Sequence, residues 1–349
     1  MIVSDAQLAD LLPRLCHHRR IAVDTEADSL HCYFEKLCLI QLTFDDEDLL
    51  VDPLASVNLQ PLCDVLAEKE IVLQGMDFDL RLLRRTFQLP VQDVFDTVIA
   101  ARMIGLAEFS YAALVQRYFD VSLAKGSQKA NWARRPLPPA MEAYAKNDTH
   151  YLLPLAAMME EQMQSLGRME WFRQSCRRAL EQTLVARERD PDSIWRVTGS
   201  GTLSPQACAV LRAMWLWRDR EAQQADRPAF HILQNTVMLE AAKRFVAGEI
   251  PKLPFLPERR RRGFFAAAEA ALALPEEEWP QKPLRVARLR TPGFDKKVEA
   301  LRQRRDQQAK DLAVDPAFIA PRSALEGIAA DPSRSQTLLV AWQRELLGL

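Results

Sequence analysis

Two carboxylates on one face of an apolar strand constrain the fold of this chain more than any other feature. Residues 21–27 read IAVDTEA, and the apolar start of this run predicts a buried strand. Side chains alternate between the two faces of a strand, so Asp24 and Glu26 point the same way. Like charges side by side repel, and burying them is costly unless something neutralises them. The fold must therefore bring a positive partner, such as a metal ion, to this face.

The composition indicates an ordinary globular protein. A chain of 349 residues is too long for one typical core and should hold two or three domains. No apolar run approaches the roughly 20 residues that span a bilayer, and the N-terminus is unlike a signal peptide. The 6 cysteines form no CxxC pair, which favours reduced core residues over disulfides or zinc ligands. We expect a cytoplasmic protein without a membrane partner.

Charge is distributed unevenly along the chain. Residues 1–150 contain 15 basic and 22 acidic residues, a net charge of −7, whereas residues 151–349 carry a net charge of +6. An acidic first half can collect divalent cations, and a basic second half can attract a polyanion. The alternative is that both are ordinary solvated surfaces.

The order of predicted elements indicates a mixed sheet. Three strand-like runs follow one another at residues 21–27, 36–44 and 48–53. Helical and strand-like runs then alternate, with helices at 59–69 and 77–87 and strands at 71–75 and 91–97, and the pattern is helical after residue 110. Strands in quick succession followed by alternation predict an α/β fold, a mixed sheet flanked by helices.

The second half of the chain has no convincing strand pattern and contains a weak repeat. The pair Arg218-Asp219, followed by Pro228, recurs as Arg305-Asp306, followed by Pro316. The two offsets are 87 and 88 residues, although a match this short can also arise by chance. A loop rich in Gly, Ser and Pro separates this half from the first.

Two further acidic residues complete a candidate metal site. Asp79 lies at a predicted strand-to-helix junction, and Asp148 follows Tyr144 by four residues on one helical face. Four carboxylates without a His or Cys cluster form an oxygen-only site, which suits Mg²⁺ or Mn²⁺ and not zinc. Two such ions can activate a water and stabilise the leaving oxygen of a phosphodiester. Singly, Asp79 can also cap a helix or face solvent, and Asp148 and Tyr144 can be surface residues.

In these motifs the sequence resembles the ribonuclease D family of the DEDD superfamily of 3′-to-5′ exonucleases. The family's DxE motif matches Asp24 and Glu26, its second motif matches Asp79, and its YxxxD motif matches Tyr144 and Asp148. Residues 125–137 are similar to the stretch before the third motif, although Ala130 and Asn131 depart from it. Residues 203–230 resemble the start of an HRDC domain, the helical module of RecQ helicases and ribonuclease D.

The resemblance implies a fold and a domain organisation. The fold is a ribonuclease H-like mixed sheet flanked by helices, followed by two all-α HRDC-like domains. The exonuclease domain would span residues 1–187, with linkers at 188–202 and 281–292. The first HRDC domain would span residues 203–280, and a divergent HRDC-like domain would span residues 293–349.

The resemblance also implies roles for individual residues. Asp24, Glu26, Asp79 and Asp148 would coordinate two divalent ions, Mg²⁺ or Mn²⁺, and Tyr144 would position the attacking water. The expected activity is a 3′-5′ exoribonuclease that releases nucleoside 5′-monophosphates from RNA with a free 3′ end, tRNA precursors above all. We expect a monomer.

Candidate RNA-binding residues lie outside the metal motifs. Trp132 and Arg135 belong to the family-like loop at 125–137. Arg259 and Arg260 belong to four consecutive arginines beside Phe264, a pattern that can bind phosphates and stack on bases. The alternative is a solvated helix start with a buried aromatic pair.

Two other functions remain open from the sequence. One is a DNA 3′-5′ exonuclease, and the pair of HRDC-like domains argues against it. The other is a catalytically inactive nucleic-acid-binding scaffold, and the presence of all four carboxylates argues against that. The sequence has no Gly-rich phosphate loop, so an ATPase is not supported.

Overall fold

The computed structural model describes residues 1–124, 126–185, 190–281 and 293–349. The chain forms two compact units. The first unit contains the described parts of Met1–Ala27, Leu37–Ala186 and Arg288–Leu349. We call it the catalytic unit because it contains the candidate metal-site residues predicted from the sequence. The helical unit contains Asp28–Lys36 and the described part of Arg187–Ala287.

The predicted mixed sheet is confirmed. Within the described residues, five strands lie in the order β3-β2-β1-β4-β5. Their bounds are Arg20–Ala27 for β1, Leu37–Phe44 for β2, Glu47–Val51 for β3, Glu70–Leu73 for β4 and Asp93–Asp96 for β5. The first three strands form an antiparallel meander, whereas β4 runs parallel to β1 and β5 runs parallel to β4. Strand β1 therefore lies at the centre of the sheet with a neighbour on each side.

Helices flank this sheet in the catalytic unit. They are α1 (Asp5–Cys16), α2 (Gln60–Ala67), α3 (Asp77–Phe87), α4 (Thr97–Met103), α5 (Tyr111–Phe119), α6 (Pro139–His150), α7 (Leu152–Ser165) and α8 (Met169–Leu184). The long helical pattern after residue 138 is thus divided into three helices. Tyr151 separates α6 from α7, and Gly167 follows α7 with a φ of 67°, a conformation that favours glycine.

The helical unit is built around one long helix. Its helices are α9 (Pro205–Gln224), α10 (Ala229–Ile232), α11 (Asn235–Val246) and α12 (Glu258–Leu272). The side chains of Trp217 and Phe264 meet edge to face in its core, with ring centroids 5.4 Å apart. Across the described residues, none of the helices has the length and apolarity that a membrane span requires.

The last helices of the chain belong to the catalytic unit. They are α13 (Phe294–Leu312), α14 (Pro316–Ile319), α15 (Arg322–Ala330), α16 (Ser335–Leu338) and α17 (Ala341–Leu347). Short 3₁₀ helices occur at Ser200–Thr202, Glu276–Glu278 and Pro332–Arg334. The domain boundaries drawn from the sequence remain predictions. Residues 188–189 of the linker predicted at 188–202 lie outside the described residues. So does most of the linker predicted at 281–292.

The structure repeats a local contact at the spacing of the sequence repeat. The guanidinium of Arg218 donates a hydrogen bond to the carbonyl oxygen of Leu233 at 2.8 Å. The guanidinium of Arg305 donates to the carbonyl oxygen of Ala320 at 3.0 Å. Both acceptors lie fifteen residues after their arginine, and each follows a one-turn helix, α10 or α14. The two segments therefore share a local structure as well as a sequence pattern.

Aromatic and polar contacts attach the last helices to α8 and its neighbours. The ring of Trp342 stacks on Trp171 with centroids 5.2 Å apart and an angle of 14° between planes, and its indole N–H donates to Ser175 Oγ. The buried guanidinium of Arg168 donates to the carbonyl oxygens of Met103 and Leu312, each at 2.7 Å. Residues 293–349 are therefore part of the hydrophobic core of the catalytic unit.

We expect Trp342→Ala to destabilise the catalytic unit by about 3–5 kcal/mol, the usual cost of removing a buried tryptophan side chain. The change removes the stacking contact with Trp171 and the hydrogen bond to Ser175. Chemical denaturation measures the loss, and Trp342→Phe, which keeps an aromatic ring, should lose less. Equal stability of the Trp342→Ala variant and the unmodified protein would contradict an integral role for these helices.

Candidate active site

Three carboxylates from two elements converge at the centre of the sheet. Oxygen atoms of Asp24 and Glu26 on β1 and of Asp148 on α6 all lie within 4.8 Å of one another. The alternation of β1 places the first two on one face, as the sequence predicts, and α6 packs against β1, β2 and β3. Three acidic side chains therefore share a cleft of 330 Å³, which we call the carboxylate cleft.

Asp79 lines the same cleft and is held by β1. It lies in the first turn of α3 and is buried, with 6% of its surface exposed. Its Oδ1 accepts hydrogen bonds from the Thr25 backbone N–H at 3.1 Å and from Thr25 Oγ1 at 2.5 Å. The side chain thus faces the other carboxylates and not the solvent.

Tyr144 lies between Asp148 and the loop before α6. Its hydroxyl donates a hydrogen bond to the Asp148 carboxylate, one helical turn away, and the Gln128 side chain bonds to the same hydroxyl. Burial, followed by the negative charges of Asp148 and Glu26, raises the pKa of the Tyr144 phenol. The phenol therefore stays protonated and can donate a hydrogen bond within the cleft.

Burial raises the pKa of every carboxyl group in the cleft, and repulsion by the other carboxylates adds to this for Asp24 and Glu26. Burial raises the pKa of Glu26 to about 9, with smaller contributions from Asp148 and Asp79. Burial raises the pKa of Asp148 to about 7 and that of Asp79 to about 6, although hydrogen bonds from Tyr144 and Thr25 oppose these shifts. Burial and then the charges of Asp79, Asp148 and Glu26 raise the pKa of Asp24 well above its ordinary value. Full ionisation of the cleft requires a positive partner.

The structure adds residues that the sequence motifs do not contain. Gln41 lies opposite Asp24 in the β1–β2 register, and its Nε2 donates to Asp24 Oδ2 at 3.1 Å. The Tyr111 hydroxyl donates to the Asn147 carbonyl oxygen at 2.8 Å and accepts from the Tyr151 N–H at 3.1 Å, which ties α5 to the end of α6. One sequence feature indicates that Gln41 has a special role: it is an amide within the apolar run LCLIQLTF. Tyr111 has no comparable signal.

Phe78 also borders the carboxylate cleft and precedes Asp79 on α3. Its side chain is exposed to solvent, with 49% of its surface accessible. An exposed aromatic ring in this position is able to stack on a nucleobase.

Two candidate RNA-binding residues, Trp132 and Arg135, make contacts within the protein. Trp132 is buried, with its ring 6.1 Å from that of Tyr144. The Arg135 guanidinium forms a bidentate pair with Asp52 at 2.5 and 2.6 Å and donates to the carbonyl oxygens of Cys38 and Trp132. These contacts attach the loop before α6 to β2 and β3. Contact of either side chain with RNA remains a prediction.

The other two candidates lie in the first turn of α12, in the helical unit. Arg259 and Arg260 both donate to Glu221 Oε2, at 2.7 and 3.1 Å. The Arg259 side chain nevertheless stays 70% exposed, whereas that of Arg260 is 24% exposed. For Arg259 and Arg260, a role in RNA binding remains a prediction.

The carboxylate cleft fits a divalent metal ion. Its ionisable ligands in the described residues are carboxylates, and neither Lys nor Arg lines it there. Hard oxygen ligands in a small cleft are typical of Mg²⁺ and Mn²⁺ sites. The raised carboxyl pKa values describe the metal-free protein, and a bound cation would remove the cause of much of that shift.

The chain is similar to known 3'-5' exonucleases. The family model described as 3'-5' exonuclease matches residues 1–164, and the HRDC domain model matches residues 208–247. Ribonuclease D of Zymomonas mobilis is 29% identical over 100% of this chain and 92% of its own length.

The chain is similar to ribonuclease D over its whole length. This similarity confirms the predicted resemblance and the predicted enzyme class, a 3′-5′ exoribonuclease. A protein from Bifidobacterium adolescentis has a similar crystal structure, with a TM-score of 0.81 and 25% identity over 99% of this chain and 94% of its own. The fold also resembles Escherichia coli RNase D, with a TM-score of 0.73 and 24% identity over 100% of this chain and 96% of that chain.

We expect the melting temperature of the metal-free protein to fall as the pH rises from 5 to 9. In the folded cleft the carboxyl pKa is about 6 for Asp79, about 7 for Asp148 and about 9 for Glu26. These values lie above the unfolded values near 4. The folded state therefore binds more protons, and its stability is lost as the pH rises through these values.

Excess Mg²⁺ should restore the melting temperature most strongly at high pH, because it binds the ionised carboxylates. Differential scanning fluorimetry in EDTA and in Mg²⁺ measures both effects. The variant Asp24→Asn is the matched control and should show a weaker pH dependence. A metal-free melting temperature that rises over this pH range would contradict the electrostatic account of the cleft.

Proposed function

We propose that this protein is a metal-dependent exoribonuclease that hydrolyses RNA from its 3′ end and releases nucleoside 5′-monophosphates. The observation that carries the proposal is the convergence of Asp24, Glu26 and Asp148 within 4.8 Å, beside Asp79 and Tyr144. These residues match the motifs of the family in order and in type.

Asp24, Glu26, Asp79 and Asp148 would hold two divalent ions, Mg²⁺ or Mn²⁺. When bound, such ions lower the pKa of a water and stabilise the leaving 3′ oxygen of a phosphodiester. An Asn or Gln in place of any of these residues would remove a charge that the ions require.

The remaining residues of the cleft orient the reacting groups. The Tyr144 hydroxyl, held by Asp148 and Gln128, would orient the attacking water by a hydrogen bond. Attack of this water on phosphorus breaks the bond to the 3′ oxygen, which leaves with a proton. Gln41 donates a hydrogen bond to Asp24, and Thr25 donates one to Asp79, which favours the orientation of both carboxylates toward the cleft.

We further propose that the natural substrates are structured RNAs with a free 3′ end, tRNA precursors among them. The related E. coli RNase D is described as an exoribonuclease involved in structured RNA processing. The HRDC domain at residues 208–247, with Arg259 and Arg260 nearby in sequence, would contact the RNA backbone. All four carboxylates come from one chain, which supports a monomer as the active form. The 6 cysteines, all described and free, agree with the cytoplasm as its location.

The proposed activity is tested with purified protein, Mg²⁺ or Mn²⁺, and oligonucleotides labelled at the 5′ end. We expect a ladder of shortened RNA and release of nucleoside 5′-monophosphates, because attack starts at the free 3′ end. The variant Asp24→Asn should fold and lose hydrolysis, because it removes one negative charge from the metal ligands.

Three results would contradict the proposal in different ways. Cleavage of DNA in preference to RNA would indicate a DNA exonuclease. Nucleic-acid binding without hydrolysis in either metal would indicate an inactive scaffold. Substantial activity of Asp24→Asn in Mg²⁺ would exclude the proposed metal chemistry.

We expect Tyr144→Phe to lower turnover by roughly 10–1000-fold, the scale of losing a positioning or acid–base contact. The change removes the hydroxyl that hydrogen-bonds Asp148 but leaves all four carboxylates in place. Calorimetric titration with Mn²⁺ should therefore show an affinity close to that of the unmodified protein. A parallel loss of Mn²⁺ affinity would mean that the hydroxyl supports metal binding and not only water positioning.

A further inference from the structure

The guanidinium of Arg135 uses all five of its N–H groups in contacts within the catalytic unit. Its Nε donates to Asp52 Oδ2 at 2.5 Å, and its Nη2 donates to Asp52 Oδ1 at 2.6 Å and to the Cys38 carbonyl oxygen at 2.7 Å. Its Nη1 donates to the carbonyl oxygens of Trp132 and Arg134, at 2.8 and 2.9 Å. Since each donor has an acceptor in the protein, none is left to bind a phosphate of RNA.

The acidic partner of Arg135 is buried and ionised. Asp52 directly follows β3 and has 4% of its surface exposed. Burial opposes ionisation, but hydrogen bonds from Arg135 and from the Leu54 N–H hold the pKa of Asp52 below its ordinary value. Two parallel N–H···O bonds fix the guanidinium in one orientation. The ion pair therefore joins the loop before α6 to the end of β3 at a defined position.

The loop that Arg135 fixes also packs against Tyr144. Trp132 is 1% exposed and belongs to a buried cluster with residues of β2, β3 and α6. Tyr144 packs against this cluster, and its ring centroid lies 6.1 Å from that of Trp132. Because Arg135 binds the Trp132 carbonyl oxygen, it holds the backbone of the residue against which the Tyr144 ring packs.

The hydroxyl of Tyr144 contacts the same loop. The Gln128 side chain hydrogen-bonds this hydroxyl, which in turn donates to Asp148. The ring and the hydroxyl of Tyr144 therefore both depend on the position of residues 128–132. A displacement of about 1 Å at a reacting group lowers a rate by about 100-fold. A small shift of the loop is then enough to move the hydroxyl away from the water that it would orient.

We propose that the Asp52–Arg135 ion pair positions Tyr144 for catalysis, by holding residues 128–135 against the end of β3. Arg135 is then a positioning residue, which acts on Tyr144 through Trp132 and does not touch the reacting atoms. This inference rests on the proposed function, in which Tyr144 orients the attacking water, and extends it. The alternative predicted from the sequence, contact of Arg135 with RNA, leads to different kinetics.

The variants Arg135→Lys and Asp52→Asn each break the bidentate pair. Lysine keeps the positive charge of Arg135 but lacks its planar fork of donors. With a single-stranded hexaribonucleotide and Mn²⁺, we expect both variants to lower kcat by roughly 10–100-fold and to change KM by less than about twofold, since the hydroxyl is misplaced and contacts with RNA are kept. Arg134→Lys is the matched control. Arg134 is exposed, so this change should leave both constants within about twofold.

A double-mutant cycle separates positioning from a general structural effect. In the Tyr144→Phe background no hydroxyl remains to be misplaced, so Arg135→Lys should lower kcat further by less than about twofold. An arginine that binds RNA would instead raise KM, and by the same factor in both backgrounds. Calorimetric Mn²⁺ affinity should match that of the unmodified protein in all of these variants, because the four carboxylates are unchanged.

Loss of the ion pair also lowers stability, so the kinetics are measured below the melting transition of every variant. The double variant Asp52→Leu/Arg135→Met leaves no unpaired buried charge. It takes the place of a single variant that does not fold, with the same expected loss of kcat.

An unchanged kcat for Arg135→Lys and Asp52→Asn would overturn the proposal. An equal loss of kcat in the Tyr144→Phe background would also overturn it, since the ion pair would then act on something other than the hydroxyl. A raised KM with unchanged kcat would overturn it in favour of RNA binding, and a loss of Mn²⁺ affinity would overturn it in favour of an effect on the carboxylates. Failure of the proposed function gives a different result: the unmodified protein would not hydrolyse the hexaribonucleotide in Mg²⁺ or Mn²⁺.

Discussion

The convergence of four carboxyl groups in one cleft is the constraint on which the rest of the catalytic unit depends. Each carboxyl group of the cleft has a raised pKa, and burial is the first cause in every case. Such a cluster persists only when the surrounding structure is rigid enough to hold the side chains together. The central position of β1, with paired strands on both sides, provides this rigidity. The last helices of the chain add to the same core.

Neutral hydrogen-bond donors control the orientation of these carboxylates. Gln41 binds one oxygen of Asp24, and Thr25 binds one oxygen of Asp79 with two donors. A cationic partner would neutralise the carboxylates and compete with a metal ion, whereas an amide or a hydroxyl orients them and leaves their charge available. Tyr111 affects Asp148 indirectly, because its hydrogen bonds fix the end of α6 that carries Asp148.

The sequence predicts those parts of the structure that depend on local patterns. Alternation on β1 and the helical spacing of Tyr144 and Asp148 identify the cleft, and the order of runs predicts the mixed sheet. The partner of Asp24 depends on the β1–β2 register, which places Gln41 opposite it and which local pattern does not determine. The contacts of Trp132 and Arg135 depend on how a loop folds against distant strands. Local sequence patterns do not predict long-range packing of this kind.

The repeated helical segments show why equal local structure leads to different packing. Arg218 and Arg305 make the same contact, yet α9 and α13 differ in what they bury. Helix α9 buries apolar side chains along much of its length, including Trp215 and Trp217, and supports a core of its own. Helix α13 buries Phe294 and Ala309 and is otherwise rich in charged and amide side chains. A helix with so little apolar surface cannot organise a separate core, because burial of apolar area drives folding. Its segment therefore gains its stability from the catalytic unit, through contacts such as that of Trp342 with Trp171.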